Sequence, residues 1–168
     1  MKRVAVLIEN HYEELEAWYP YFRLREENIE TLYVGTGRET YTGKNGYPAE
    51  EEMSIEQTGA DEFEGVIIPG GYAPDLMRRN DHMVSFVREC DKQGKLVAAI
   101  CHAGWVLISA GILSGRDATC FFAIKDDLEN AGASYLDKEV VRDKNLVTSR
   151  NPFDLPFFCR EIITFLNV

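Results

Sequence analysis

Several things are scarce in this chain of 168 residues, and each scarcity excludes something. Lysine plus arginine total 18 against 28 aspartates and glutamates, a formal net charge of −10. Nucleic acid is therefore not an expected partner, because phosphate binding depends on a basic face that releases counterions. No apolar run approaches the roughly 18–20 residues needed to cross a bilayer, so no membrane partner is expected. Met1-Lys2-Arg3 leads into only five aliphatic residues, Val4 to Ile8, with no small-residue cleavage site. That is too short for a signal peptide, and a cytoplasmic address is the default expectation. The four cysteines, Cys90, Cys101, Cys120 and Cys159, include no CxxC pair, and the three histidines, His11, His82 and His102, form no cluster. Neither a disulfide framework nor a metal is expected. Gly70-Gly71 fits neither G-x-G-x-x-G nor a Walker motif, so no cofactor is expected. Linkers and internal repeats are missing too, and residues 1–168 read as one domain.

What is present is an alternation of short aliphatic runs with helical patterns. Val4–Ile8, Ile29–Val34, Gly65–Ile68 and Leu96–Ile100 read as strands, three of them aliphatic enough to be buried on both faces. From Glu14, the spacing of Leu15, Trp18, Tyr19 and Phe22 predicts a helix whose core face they form, with Pro20 kinking it or delaying its start. Thr42 to Tyr47 is a hairpin turn, and Val140-Val141 with Leu146-Val147 suggests a second hairpin. Further helices are predicted over Asp81–Cys90, His102–Ile112, Ile124–Asn130 and Asp154–Leu166. The pattern is that of an α/β sandwich around a mainly parallel sheet, whose functional edge is the row of strand carboxyl ends.

Cys101 falls where Leu96–Ile100 breaks into a helix. A nucleophile on such a turn projects above the sheet, and the helix start favours thiolate. The plainer alternative, a small buried hydrophobe, suits Cys90, Cys120 and Cys159 better. His102 adjoins the thiol, and as a base it needs an orienting carboxylate. Asp75 follows one strand-end loop, while Glu13 and Glu16 follow another and share one face of a helix start. These acids also suit ordinary capping and dipole roles. Gly70 and Gly71 either make a positive-φ loop or present backbone N–H groups to an oxyanion beside Cys101.

Six stretches in order carry a family resemblance: Val4–Ile8 with Tyr12–Glu16, Tyr41–Tyr47, Ile67–Asp75, Ala99–Gly104, Ile124–Asp127 with Asn130–Gly132, and Val147–Arg150. On these the chain resembles the PfpI-like family of cysteine hydrolases, in the class I glutamine-amidotransferase-like superfamily. The resemblance implies a flavodoxin-like three-layer sandwich with its nucleophile elbow at Cys101. It puts the third catalytic position on Asp75, which acts on His102 of a neighbouring subunit, so self-association completes the site. Glu16 maps to the glutamate near the thiol, with Glu13 close by. Three positions depart from the family pattern: Asp75 replaces the common glutamate, Ala103-Gly104-Trp105 follows Cys101-His102, and Phe121 stands where an aromatic hydroxyl is usual.

The resemblance implies a hydrolase acting on peptides or on methylglyoxal-type carbonyl substrates or adducts. The alternative is a redox sensor or stress chaperone in which Cys101 oxidises to a sulfinate held by Glu16. A glutamine amidotransferase fits poorly, because no histidine follows His102.

Overall fold

The aliphatic runs lie side by side at the centre of the molecule. In the computed structural model, which describes residues 2–167, the elements in chain order are β1 (Arg3–Leu7), α1 (Glu14–Glu26), β2 (Glu30–Gly35), β3 (Thr40–Thr42), β4 (Pro48–Glu50), β5 (Met53–Ser54) and β6 (Gly65–Ile68). There follow α2 (Ala73–Met77), α3 (Asp81–Lys92), β7 (Leu96–Ile100), α4 (Gly104–Ala110), β8 (Asp117–Ala118), α5 (Lys125–Asn130), β9 (Ser134–Tyr135), β10 (Val140–Asp143), β11 (Leu146–Ser149) and α6 (Leu155–Leu166). One sheet of seven strands has the order β10-β11-β7-β6-β1-β2-β5. Every pairing in it is parallel except β10 with β11. Helices α1 and α6 pack together on one face, and α2 to α5 on the other. This is the flavodoxin-like sandwich, with β6 and β7 buried along their whole length.

The predicted hairpins both form. β3 and β4 pair antiparallel as a separate ribbon, whereas β11 of the second hairpin also joins the main sheet beside β7. The predicted helix after Cys101 starts later: a 3-10 turn over Cys101–Ala103 precedes α4.

Helix α1 corrects the expected core face. It runs unbroken through Pro20, and the side chains it buries are Glu16, Ala17, Pro20, Tyr21 and Leu24. Leu15, Tyr19 and Phe22 are exposed instead. Two apolar stripes share this helix, and periodicity alone does not say which one meets the sheet.

Candidate active site

The carboxyl ends of β1, β6, β7 and β11 lie together, and the chain that leaves each one contributes to a single cavity of about 400 Å³. Cys101 stands at its floor. Its backbone takes φ of 62°, a left-handed conformation uncommon outside glycine. That bend is what lets the strand β7 turn at once into a 3-10 helix with the side chain standing off the sheet edge. Cys101 Sγ lies 3.3 Å from Nδ1 of His102. The imidazole is held by Phe121, stacked on it at 5.0 Å and 28°, and by Trp105 set edgewise at 5.2 Å.

The glycine pair fits the site for two separate reasons. Gly70 has no room for a side chain, since a Cβ would lie 2.7 Å from Cys101 Cβ and 2.6 Å from a Glu16 oxygen. Gly71 has φ of 78°, and a Cβ there would come within 2.5 Å of the His11 carbonyl oxygen. The Gly70 N–H donates to Oε2 of Glu16 at 2.7 Å, so it is committed and does not serve an oxyanion. The backbone amides of Gly71 and His102 favour the charged form of the Cys101 sulfur.

Glu16 is wholly buried, and its Oε1 has no hydrogen-bond partner among the described residues. Burial raises its carboxyl to about 8, partly offset by the Gly70 amide, so Glu16 is protonated at neutral pH. Burial likewise pushes the Cys101 thiol up to about 12, with Glu16 adding to the rise and the two backbone amides opposing it. The resting group is therefore a thiol, contrary to the thiolate expected from the helix start. The cause is plain: desolvation outweighs the amides and a helix of only seven residues. Burial, helped by the charge of Lys44, depresses the His102 pKa, so the imidazole is neutral and free to accept a proton.

Glu13 lines the cavity beside Glu16 and forms an ion pair with Lys44, which raises the pKa of that lysine. Lys44 was not among the residues the sequence singled out. It arrives from the β3–β4 hairpin, which His11 and Tyr12 hold by backbone hydrogen bonds of 2.7 Å to Thr42 and 2.9 Å from Lys44. Glu14 fastens the same turn, accepting from the Asn45 backbone at 2.6 Å and its side-chain amide at 2.9 Å. The signal available in the sequence was a cation at the tip of a hairpin in an acidic chain, and nothing there says where the tip lands. Trp105, Asn151 and Pro152 also line the cavity.

Asp75 is not brought to His102 within one chain. It sits in α2, pairs with Arg79 and does not line the cavity. Of its apolar neighbours, Tyr72 is exposed, Leu76 is half-buried and Met77 is fully buried. No group of three histidine, cysteine or acidic side chains converges to hold a metal among the described residues.

Comparison with known proteins bears on what this geometry is for. A sequence profile of the DJ-1/PfpI family matches residues 2–165. A Pyrococcus horikoshii protein named as a deglycase is 43% identical over 164 residues, covering 98% of this chain and 99% of that protein. Escherichia coli protein/nucleic acid deglycase 2 is 40% identical over 169 residues, covering 98% of each. A crystal structure from Anabaena variabilis, described as joining a DJ-1/ThiJ/PfpI-like domain to a ferritin-like domain, superposes with a TM-score of 0.97 at 45% identity. That match covers 99% of this chain but 48% of the longer protein, so this chain spans about half of it.

Proposed function

Since this chain belongs to the DJ-1/PfpI family, we propose that it is a cysteine-dependent hydrolase acting on peptides or on methylglyoxal-type carbonyl adducts, with Cys101 as nucleophile. The observation that carries this reading is the 3.3 Å approach of the Cys101 sulfur to a neutral His102 nitrogen inside the cavity. His102 Nδ1 takes the thiol proton as the sulfur attacks the carbonyl carbon. The N–H groups of Gly71 and His102 steady the negative charge that develops around the new bond. Protonated Glu16 stands beside the sulfur as a further donor. With a peptide, the imidazolium returns its proton to the departing amine, and water hydrolyses the acyl thioester to acid and free thiol. With a methylglyoxal-type adduct, the sulfur displaces the amine to give a hemithioacetal, a proton shifts from its carbon to the neighbouring carbonyl carbon to form a hydroxyacyl thioester, and water hydrolyses that to the hydroxyacid and free thiol.

His102 has no hydrogen-bonded carboxylate in its own chain among the described residues, and a base without an orienting partner is a poor one. Asp75 of a neighbouring copy supplies it in this reading. Tyr72, Phe122 and Phe153 are exposed around the cavity mouth, beside the lining residues Gly71, Phe121 and Pro152, and offer an apolar surface for such a copy.

A panel of peptides and of methylglyoxal-modified cysteine and lysine derivatives, run on wild type and Cys101→Ala, tests the chemistry. Turnover should fall by at least about a thousandfold in the variant. Mixing Cys101→Ala with Asp75→Ala subunits, after exchange has been verified by mass, should restore part of the activity. Full activity in Cys101→Ala ends the nucleophile assignment, and exchanged mixtures that stay inactive end the shared site.

The unpartnered Glu16 Oε1 next to the sulfur favours one second reading, oxidation of Cys101 by peroxide to a sulfinate that Glu16 hydrogen-bonds. Stoichiometric oxidation without turnover on the panel would select it.

A further inference from the structure

A second cavity, of about 450 Å³, adjoins the catalytic one and is lined by Arg78, Trp105, Ile108, Asp127, Asn130 and Ala131. Trp105 also lines the catalytic cavity, and it is the one residue that the two linings share among the described residues. The side chain stands as a wall between the cavity of Cys101 and a space that the chemistry at the sulfur does not use.

That wall is held in place. The Trp105 indole N–H donates to Oδ2 of Asp127 on α5 at 2.9 Å, and the ring sits edgewise to His102 at 5.2 Å. The backbone behind it has little freedom. Gly104 approaches α5 so closely that a Cβ there would lie 2.7 Å from a Leu128 methyl carbon and 3.2 Å from one of Ile124. Arg78 ties α2 to α4, its Nε donating to Ser109 Oγ at 2.9 Å. The three helices that frame the second cavity are thus fixed against one another, and the indole is the part of the barrier that a substitution removes without moving them.

We propose that Trp105 is a specificity-determining residue, which fixes how long an unbranched group the site takes beside the reacting carbon. The indole turns such a group out towards solvent; without it, the group runs on into the second cavity, where Ile108 and Ala131 take it out of water. As a statement about substrates this rests on the reading of Cys101 as a hydrolase nucleophile, but the wall governs access to the sulfur and is readable without turnover. Trp105 also steadies His102, so its removal slows every reaction of the sulfur, and a ratio between a long and a short probe cancels that loss.

Wild type and variants treated with equimolar N-methyl- and N-hexyl-iodoacetamide give two Cys101 adducts, counted by peptide mass mapping. Trp105→Ala should raise the hexyl-to-methyl ratio about tenfold or more, the gain from placing roughly two methylenes out of water. The ratio should also pass that of free glutathione, which an unfolded variant would merely match. Asp127→Ala alters an exposed side chain and leaves the indole unheld, and should raise the ratio about threefold, the size of one modest hydrogen bond. Asp127→Asn keeps an acceptor oxygen and should stay within about twofold of wild type. The kcat/KM ratio for p-nitrophenyl hexanoate over acetate should move in parallel. Shifted adduct ratios with no ester hydrolysis by the wild type would uphold the wall and end the hydrolase reading. Adduct ratios unchanged in both Trp105→Ala and Asp127→Ala, or a Trp105→Ala ratio no higher than that of glutathione, overturn the proposal.

Discussion

Cys101 and the three remaining cysteines share one electrostatic fate and differ in everything else. Burial pushes the thiols of Cys90, Cys101, Cys120 and Cys159 alike up to about 12. Cys90 and Cys159 pack as small hydrophobes inside helices α3 and α6, and Cys120 is equally enclosed. Cys101 instead carries a proton acceptor at 3.3 Å, two backbone amides that favour its charged form and a protonated carboxyl beside it. A low resting pKa is therefore not what distinguishes a nucleophile here. The difference lies in groups placed to take the proton and meet the charge during attack.

The largest way to break this contrast is to leave the thiol and spoil its surroundings. Gly71→Ala forces a side chain into a left-handed position against the His11 carbonyl and displaces one amide that favours the charged form of the sulfur. We expect roughly a hundredfold loss of turnover from the lost donor. Backbone strain should cost about 1–3 kcal/mol of stability, read by urea unfolding. Wild-type turnover in this variant would show that the Gly71 amide has no part in the difference.

Glu16→Gln sharpens the contrast through pH. The folded carboxyl sits at about 8, above its ordinary value of 4.5, so the folded state holds that proton more tightly than the unfolded chain does. Its contribution to stability is complete below about 4.5 and is lost as pH rises towards 8. Glutamine keeps an oxygen for the Gly70 amide and does not titrate, so the slope between these limits should flatten in urea titrations of the variant. Wild-type turnover should also decline above about 8, as a carboxylate forms beside the sulfur, while the variant keeps its alkaline activity. On the acid side, the depressed His102 pKa places the loss of activity below the usual histidine range in both proteins. Parallel stability slopes in the two proteins would remove Glu16 as the titrating group.

The smallest expected effect is an order of labelling. Because all four thiols are raised alike, exposure decides: Cys101 is partly open to the cavity, whereas Cys90, Cys120 and Cys159 are at most 1% exposed. Limiting iodoacetamide at neutral pH, followed by peptide mass mapping, should modify Cys101 first and slowly. Faster labelling of Cys159 than of Cys101 would contradict this.

The parallel sheet was legible because Val4–Ile8, Gly65–Ile68 and Leu96–Ile100 are too short and too aliphatic to be anything but buried strands. Cys101 was legible because it ends one of them. The exposed stripe on α1 was not, since Leu15, Tyr19 and Phe22 have the same spacing as a core face and only the sheet's position excludes them. Two-residue strands such as β5 and β8 are fixed by their partners and leave no period to read. Lys44 was hidden for a related reason: its place in the cavity depends on hydrogen bonds to residues some thirty positions earlier. The raised thiol was missed because helix dipole and desolvation act in opposite directions, and burial is a property of the folded chain.

The parallel register has a consequence for when chemistry becomes available to a growing or refolding chain. Val4 lies beside Gly65 and Leu146 beside Val97, so neighbouring strands close long loops and no local segment assembles the cavity on its own. Before that closure, the cysteine at position 101 is an ordinary thiol in water, with neither Glu16 nor the Gly71 amide near it. The proton acceptor and the backbone amides that equip this sulfur for attack thus meet it only once the topology is complete.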